Sequence, residues 1–149
     1  PVTGERVLFD DSVSSASCNW NIFGLELSLL TMATSYTGTV KIVGANNPDD
    51  YNSLAFTSNV YVNGGTLDMG KNTDLDIEGE LRIEGGIFNM GAGFNHLRVG
   101  SEGVAIENDG IFRSVGTNFV AIEPTGFGQF DFDGALIEYK IALRGENHQ

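Results

Sequence analysis

Cysteine is nearly missing: the 149 residues hold one, Cys18, which excludes an internal disulfide framework. Basic residues are also scarce, 8 against 20 acidic ones, and a formal charge of −12 disfavours contact with a phosphate backbone. No nucleic-acid partner is therefore expected. No run of about 18 apolar residues occurs, so no membrane insertion by a helix is expected either. No secretory leader is visible, and the chain starts at Pro1 rather than Met, which reads as a processed protein or an excised piece. Helical periodicity is almost wholly lacking. Only "LELSLLTMAT" (Leu25 to Thr34) is ambiguous, and its alternation and lack of helix caps favour a strand.

Glycine, by contrast, is abundant, with 20 residues against three prolines and no collagen-like period. That load suits many tight turns between short strands. Hydrophobic residues make up 41% and aromatics 10%, enough for a real core in a chain of this size. One domain is the simplest organisation.

The glycines are periodic. "GGTLDMG" (Gly64 to Gly70) returns as "GGIFNMG" (Gly85 to Gly91), and Gly65, Gly86, Gly110 and Gly134 lie 21, 24 and 24 residues apart. Two positions after each stands an apolar residue: Leu67, Phe88, Phe112 and Leu136. Before each lies a pair at alternating positions: Val60 and Val62, Leu81 and Ile83, Val104 and Ile106, Phe130 and Phe132. A third set, Leu75 and Ile77, Leu97 and Val99, Val120 and Ile122, completes the unit, the last with a register open to a shift of one. Spacing by two puts both members of a pair on one face of a strand, while Asp76, Arg82, Arg98 and Asp131 face the other way.

Three short strands in each repeat favour a right-handed parallel β-solenoid (β-helix), all-β, with about five or six coils of 21–26 residues. An antiparallel sandwich or jelly roll is the alternative, but it has no reason to repeat residue identity at a fixed interval. Residues 1–149 are read as a single solenoid domain, with an irregular opening and first coils over 1–43 and repeating coils over 44–149. In "SCNWNI", Cys18, Trp20 and Ile22 share a face, and Cys18 is expected to be a small buried hydrophobe, the alternative being a reactive or intermolecular thiol.

The first forty residues lack the glycine repeat. Pro1, Thr3, Val7, Phe9 and Asp10, then Cys18 and Trp20, then Leu27, Leu30, Thr31 and Met32, then Tyr36 to Val40 form a pattern. It resembles the opening of bacterial secreted or cell-surface β-solenoid domains of the β-strand-repeat, filamentous-haemagglutinin-like or pectate-lyase-like kind. Glu5 departs from that pattern, and the tail "ALIEYKIALRGENHQ" has no place in it. The resemblance implies an extracellular or cell-surface location and a scaffold or adhesive-stalk role; it implies no chemistry.

No catalytic signature emerges. Asn72 to Asp74 and the pair Asp49–Asp50 are similar to pieces of pectin-hydrolysing families, but in the wrong order and without the accompanying His-Gly and Arg-x-Lys elements. His96 and His148 have no Cys or His partners at metal spacing. "ANNPDDYN" (Ala45 to Asn52) is the one long polar excursion, read first as a surface loop. Its functional reading makes Asp49 and Asp50 calcium ligands and Tyr51 a glycan-stacking platform. No cofactor is expected, calcium being the one left open. Outward pairs such as Asp68 with Asn89 and Glu84 with Asn108 suggest either a carbohydrate groove or a solvated face.

The expected function is non-enzymatic: a structural module of an extracellular fibre, sheath or adhesive stalk that associates end to end. The expected interface residues are Leu136, Ile137, Tyr139 and Ile141, in an apolar, proline-free tail. Partners would be copies of the chain or neighbouring solenoid domains, with surface glycans as a further class. The alternative is a carbohydrate-binding module or, behind it, a polysaccharide lyase or hydrolase.

Overall fold

A computed structural model describes residues 1–12, 14–43, 52–91, 95–100, 102–107 and 109–113, and the strand backbones at 120–124, 130–131, 136–138 and 142–143. All regular structure among them is strand. The first coil comprises β1 (Arg6–Phe9), β2 (Cys18–Trp20) and β3 (Glu26–Leu27), and the second β4 (Leu29–Met32), β5 (Thr39–Ile42) and β6 (Asn52–Phe56). The third has β7 (Val60–Val62), β8 (Thr66–Asp68) and β9 (Thr73–Ile77), and the fourth β10 (Leu81–Glu84), β11 (Ile87–Asn89) and β12 (Asn95–Val99). Then come β13 (Val104–Glu107), β14 (Ile111–Arg113), β15 (Val120–Pro124), β16 (Phe130–Asp131), β17 (Leu136–Glu138) and β18 (Ala142–Leu143).

Every third strand joins the same sheet, giving three six-stranded sheets: β1-β4-β7-β10-β13-β16, β2-β5-β8-β11-β14-β17 and β3-β6-β9-β12-β15-β18. All pairings are parallel, so the chain is a β-solenoid and not a sandwich built from hairpins. About four turns are complete among the residues whose side chains are described. The larger expected number came from counting repeats into the C-terminal residues, where side chains lie outside the description.

The columns read from the sequence are the ladders of the interior. Val60, Leu81 and Val104 stack in register, as do Val62, Ile83 and Ile106. Leu67, Phe88 and Phe112 form a second column, with the two phenyl rings 5.4 Å apart and nearly parallel. Leu54, Leu75 and Leu97 form a third. These side chains are all essentially inaccessible to water. Each contributes roughly 1.5–3 kcal/mol on burial.

Two registers differ from expectation. Phe112 pairs with Ile137 rather than Leu136, and Leu136 aligns with Ile111. In the third sheet Leu97 pairs with Ile122 rather than Val120, and Val99 with Pro124 rather than Ile122, a shift of two residues where a shift of one was left open. Val120 instead lies beside Asn95, at the start of β12.

The opening residues also belong to the stack. Val7 pairs with Leu30, Phe9 with Met32, Cys18 with Val40 and Trp20 with Ile42. They hide from a period search because nine residues separate β5 from β6, whereas four separate β8 from β9. "LELSLLTMAT" is strand, as expected, but it is split at Ser28 into β3 and β4, which lie on different sheets.

The recurring glycines sit where successive coils close on one another. Ile87 donates its amide to Gly65, and Ile111 to Gly86, each 2.9 Å away. A Cβ at Gly86 would come within 2.6 Å of the Val62 carbonyl oxygen. The Met-Gly pair marks the next corner, where Asp68 and Asn89 accept hydrogen bonds from the amides of Gly70 (2.8 Å) and Gly91 (3.2 Å). These are side-chain-closed turns. They give the outward pair Asp68 and Asn89 a structural task in place of a free groove surface.

Candidate functional site: the open first coil

The side chains singled out for calcium and glycan contact, Asp49, Asp50 and Tyr51, lie outside the described residues, as do Tyr139 and Ile141. Leu136 and Ile137 are described only as backbone of β17. No group of three metal-ligating side chains exists among the described residues.

The outer faces hold charge in mixed ladders. On the first sheet Arg82 is flanked by Glu80 at 4.0 Å and Glu84 at 3.9 Å and donates to Glu107. Burial pushes the Glu80 carboxyl above its ordinary range, Arg82 draws it back, and Glu102 and Glu107 raise it further. On the third sheet Arg98 donates to Asp76 at 2.7 Å and lies 3.8 Å from Asp74, while His96 Nδ1 stands 3.0 Å from Asp74. Half-exposed pairs of this kind contribute about 0–1 kcal/mol each.

The "NTD" tripeptide lies at a corner of the third coil. Asn72 is buried with φ of 51°, and the Thr73 hydroxyl donates to the Met69 carbonyl at 2.8 Å. Asp74 alone faces outward. One coil above, buried Asn95 accepts from the Thr73 amide at 2.8 Å and donates to the carbonyls of Gly70, at 3.2 Å, and Met90. Sequence reading missed this polar plug, because an Asn beside a glycine turn reads as solvent-facing. Asn95→Ala strands three buried backbone groups at about 1–3 kcal/mol apiece. The variant should lose about 3 kcal/mol in urea unfolding, and a loss below about 1 kcal/mol would mean that the corner finds other partners.

The first coil is where the interior meets solvent. Val7, Phe9 and Cys18 occupy the inward columns that are closed in the coils above among the described residues, yet here they are only partly covered or exposed. Cys18 is therefore not the buried hydrophobe expected. Its column partner Val40 is fully buried, whereas Cys18 belongs to the first coil described and is covered on one side only. Partial burial still raises the thiol pKa, so the group is a thiol rather than an activated thiolate.

A pocket of about 440 Å³ opens here, and its lining includes Arg6, Val7, Phe9, Cys18, Trp20 and Ile22. Every lining residue belongs to the first coil or its flanks, so the pocket faces away from the stack. Its floor is held firmly. Phe9 packs on Trp20 at 6.0 Å and on Tyr36 at 5.6 Å. The Trp20 indole donates to the Ile22 carbonyl at 2.9 Å, and the Tyr36 hydroxyl to that of Ala16 at 2.8 Å. Nearby Val2 and Leu8 are exposed by more than 60%. This concavity is rimmed by the edges of β1 and β2, and its lining combines apolar side chains with Glu5, Arg6, Asn19 and Asn21.

No protein-family model, no curated protein and no solved structure matches the chain.

Proposed function

We propose that the chain is a non-catalytic structural module of an extracellular or cell-surface assembly, a fibre, sheath or adhesive stalk, that joins to others end to end. The observation that supports this reading is the first coil, where the inward columns of β1 and β2 end in a pocket on which a further solenoid coil, of another copy or of a neighbouring domain, would stack. Solenoids that act alone cover such ends, since an open edge recruits another strand. The −12 charge keeps the side faces mutually repellent and leaves the ends as the attractive surfaces. The likeness of the opening residues to secreted bacterial β-solenoid domains agrees with this role and location.

Light scattering and electron microscopy at rising protein concentration test the reading. Rods that lengthen with concentration are the expected result, and a monodisperse monomer at millimolar concentration would overturn it. The competing reading is a carbohydrate-binding module. It rests on Tyr61, half-exposed on the first sheet between Thr31 and Arg82 in register. A glycan array on the purified chain separates the two, because saccharide binding by a strict monomer favours the second.

A further inference from the structure

We infer that Tyr61 is the platform of a saccharide site on the outer face of the first sheet, and that its ligand is a chain of amino sugars with free ammonium groups. This rests on the saccharide reading of Tyr61 above and adds how the ring is held and which class of sugar it takes. It is independent of how the ends of the solenoid are covered.

The ring is held down on the sheet. Asn59 and Tyr61 are two residues apart, so strand alternation sends both side chains to the outer face. The Asn59 side-chain amide donates to the Tyr61 hydroxyl at 2.6 Å. Asn59 is itself anchored, because its Oδ1 accepts from the backbone amide of Glu80, in the next coil, at 3.0 Å. Gly79 leaves the room for this: a Cβ there would fall 2.0 Å from Asn59 Oδ1. An Asn bonded to a backbone amide stays close to the sheet. To meet it, the phenol leans along the strand across a two-residue span of about 6.6 Å. A ring that leans in this way lays one face on the protein and turns the other to solvent, which agrees with the half-exposure of Tyr61. Its order is established before any ligand arrives, so little further entropy is lost on binding.

The surroundings select the ligand. Thr31 lies beneath Tyr61 in register and Arg82 above it. Arg82 is shared among Glu80, Glu84 and Glu107, three carboxylates to one guanidinium. This part of the face is therefore negative, on a chain whose formal charge is −12. A uronate or sulfated chain is repelled from it. A neutral sugar gains only the packing of its C–H face on the ring. An amino sugar gains that packing and, in addition, the attraction of its ammonium to the aromatic face and to the carboxylates.

Spacing favours a sugar chain over a basic peptide. Coils follow one another at about 4.8 Å, close to the rise of one pyranose unit in an extended polysaccharide. A chain laid along the solenoid axis with one unit on Tyr61 sets the next over Arg82 and its glutamates. An extended lysine peptide presents like-facing side chains about 6.6 Å apart, out of step with the coils.

Calorimetric titration of the purified chain with a glucosamine tetramer tests this, beside tetramers of N-acetylglucosamine, galacturonate and lysine. The glucosamine tetramer should bind about tenfold more tightly than the N-acetylated one, and the galacturonate tetramer not at all. Tyr61→Ala should weaken the glucosamine probe about tenfold, and Tyr61→Phe, which keeps the aromatic face, less than about threefold. Both variants should keep the circular dichroism spectrum of the wild type, since the side chain lies outside the core. Glu84→Gln should weaken the glucosamine probe and leave the N-acetylated one unchanged. Asp76→Asn, on the third sheet, should alter neither.

Equal affinity for the glucosamine and N-acetylated tetramers, still lost in Tyr61→Ala, would overturn the amino-sugar assignment and leave the saccharide reading standing. Binding that Tyr61→Ala leaves intact would overturn the site. Tetralysine binding as tightly as the glucosamine tetramer, or Asp76→Asn weakening it as much as Glu84→Gln does, would reduce the effect to general attraction of cations. Failure of every saccharide to bind would remove both this inference and the saccharide reading.

Discussion

Phe88→Asp should abolish the folded state, while Asp76→Asn leaves it almost unchanged. Phe88 is fully buried, lies over Leu67 and stacks on Phe112 at 5.4 Å. Loss of the ring alone costs about 3–5 kcal/mol. An unpaired carboxylate in its place adds several kcal/mol more, because nothing in the apolar column can solvate it. Together these approach the whole stability of a domain, about 5–15 kcal/mol. Asp76 faces outward and meets Arg98 at 2.7 Å, a half-exposed pair whose loss costs under about 1 kcal/mol. Circular dichroism and urea titration read both. A loss of similar size in the two variants would contradict the assignment of inner and outer faces, and Leu81→Asp, in the neighbouring column, should repeat the Phe88 result.

That contrast was legible in the sequence because parallel stacking copies side-chain identity upward. A residue on the inner face has the same neighbours in every coil, so Val60, Leu81 and Val104, or Leu67, Phe88 and Phe112, declare their ladder by spacing alone. Register failed where the coil length changed. Between Phe112 and its partner Ile137 lies one residue more than between Gly110 and Gly134, and the glycine count therefore matched Leu136, not Ile137, to Phe112. The first coil was hidden by the long connection between β5 and β6, which breaks the interval without breaking the stack.

The candidate site was harder to see, for a different physical reason. Burial of Cys18 depends on how many coils lie beneath it, and alternation within "SCNWNI" is the same for a terminal coil as for an internal one. A local pattern fixes the face of a residue and says nothing of its height in the stack. The apolar pocket at Val7, Phe9 and Trp20 is thus the interior pattern continued to an end. Asn95 was missed through the converse effect. It is polar, but the carbonyls of Gly70 and Met90 converge on it from two coils, which only the stacked structure brings together.

Gly91→Ala should cost about 4 kcal/mol, whereas Gly24→Ala costs about 1 kcal/mol, although both glycines adopt the left-handed conformation. Their φ angles are 68° and 70°, so the backbone penalty of adding a Cβ is the same in both. The difference lies in what the new carbon meets. At Gly24 nothing stands within 4 Å. At Gly91 the carbon would fall 1.9 Å from the carbonyl oxygen of Gly70, the equivalent corner residue one coil below, with φ of 67°. That neighbour is backbone held by the ladder and cannot swing aside as a side chain would. Relief requires the two coils to separate at this corner, where Asn95 bridges the carbonyls of Gly70 and Met90. The Gly91 variant should therefore lose the polar plug together with the stacking contact. Chemical denaturation of the two variants measures the gap. Equal losses would mean that the Met-Gly column recurs for its φ angle alone, and that coil-to-coil spacing at this corner is not what keeps a glycine there.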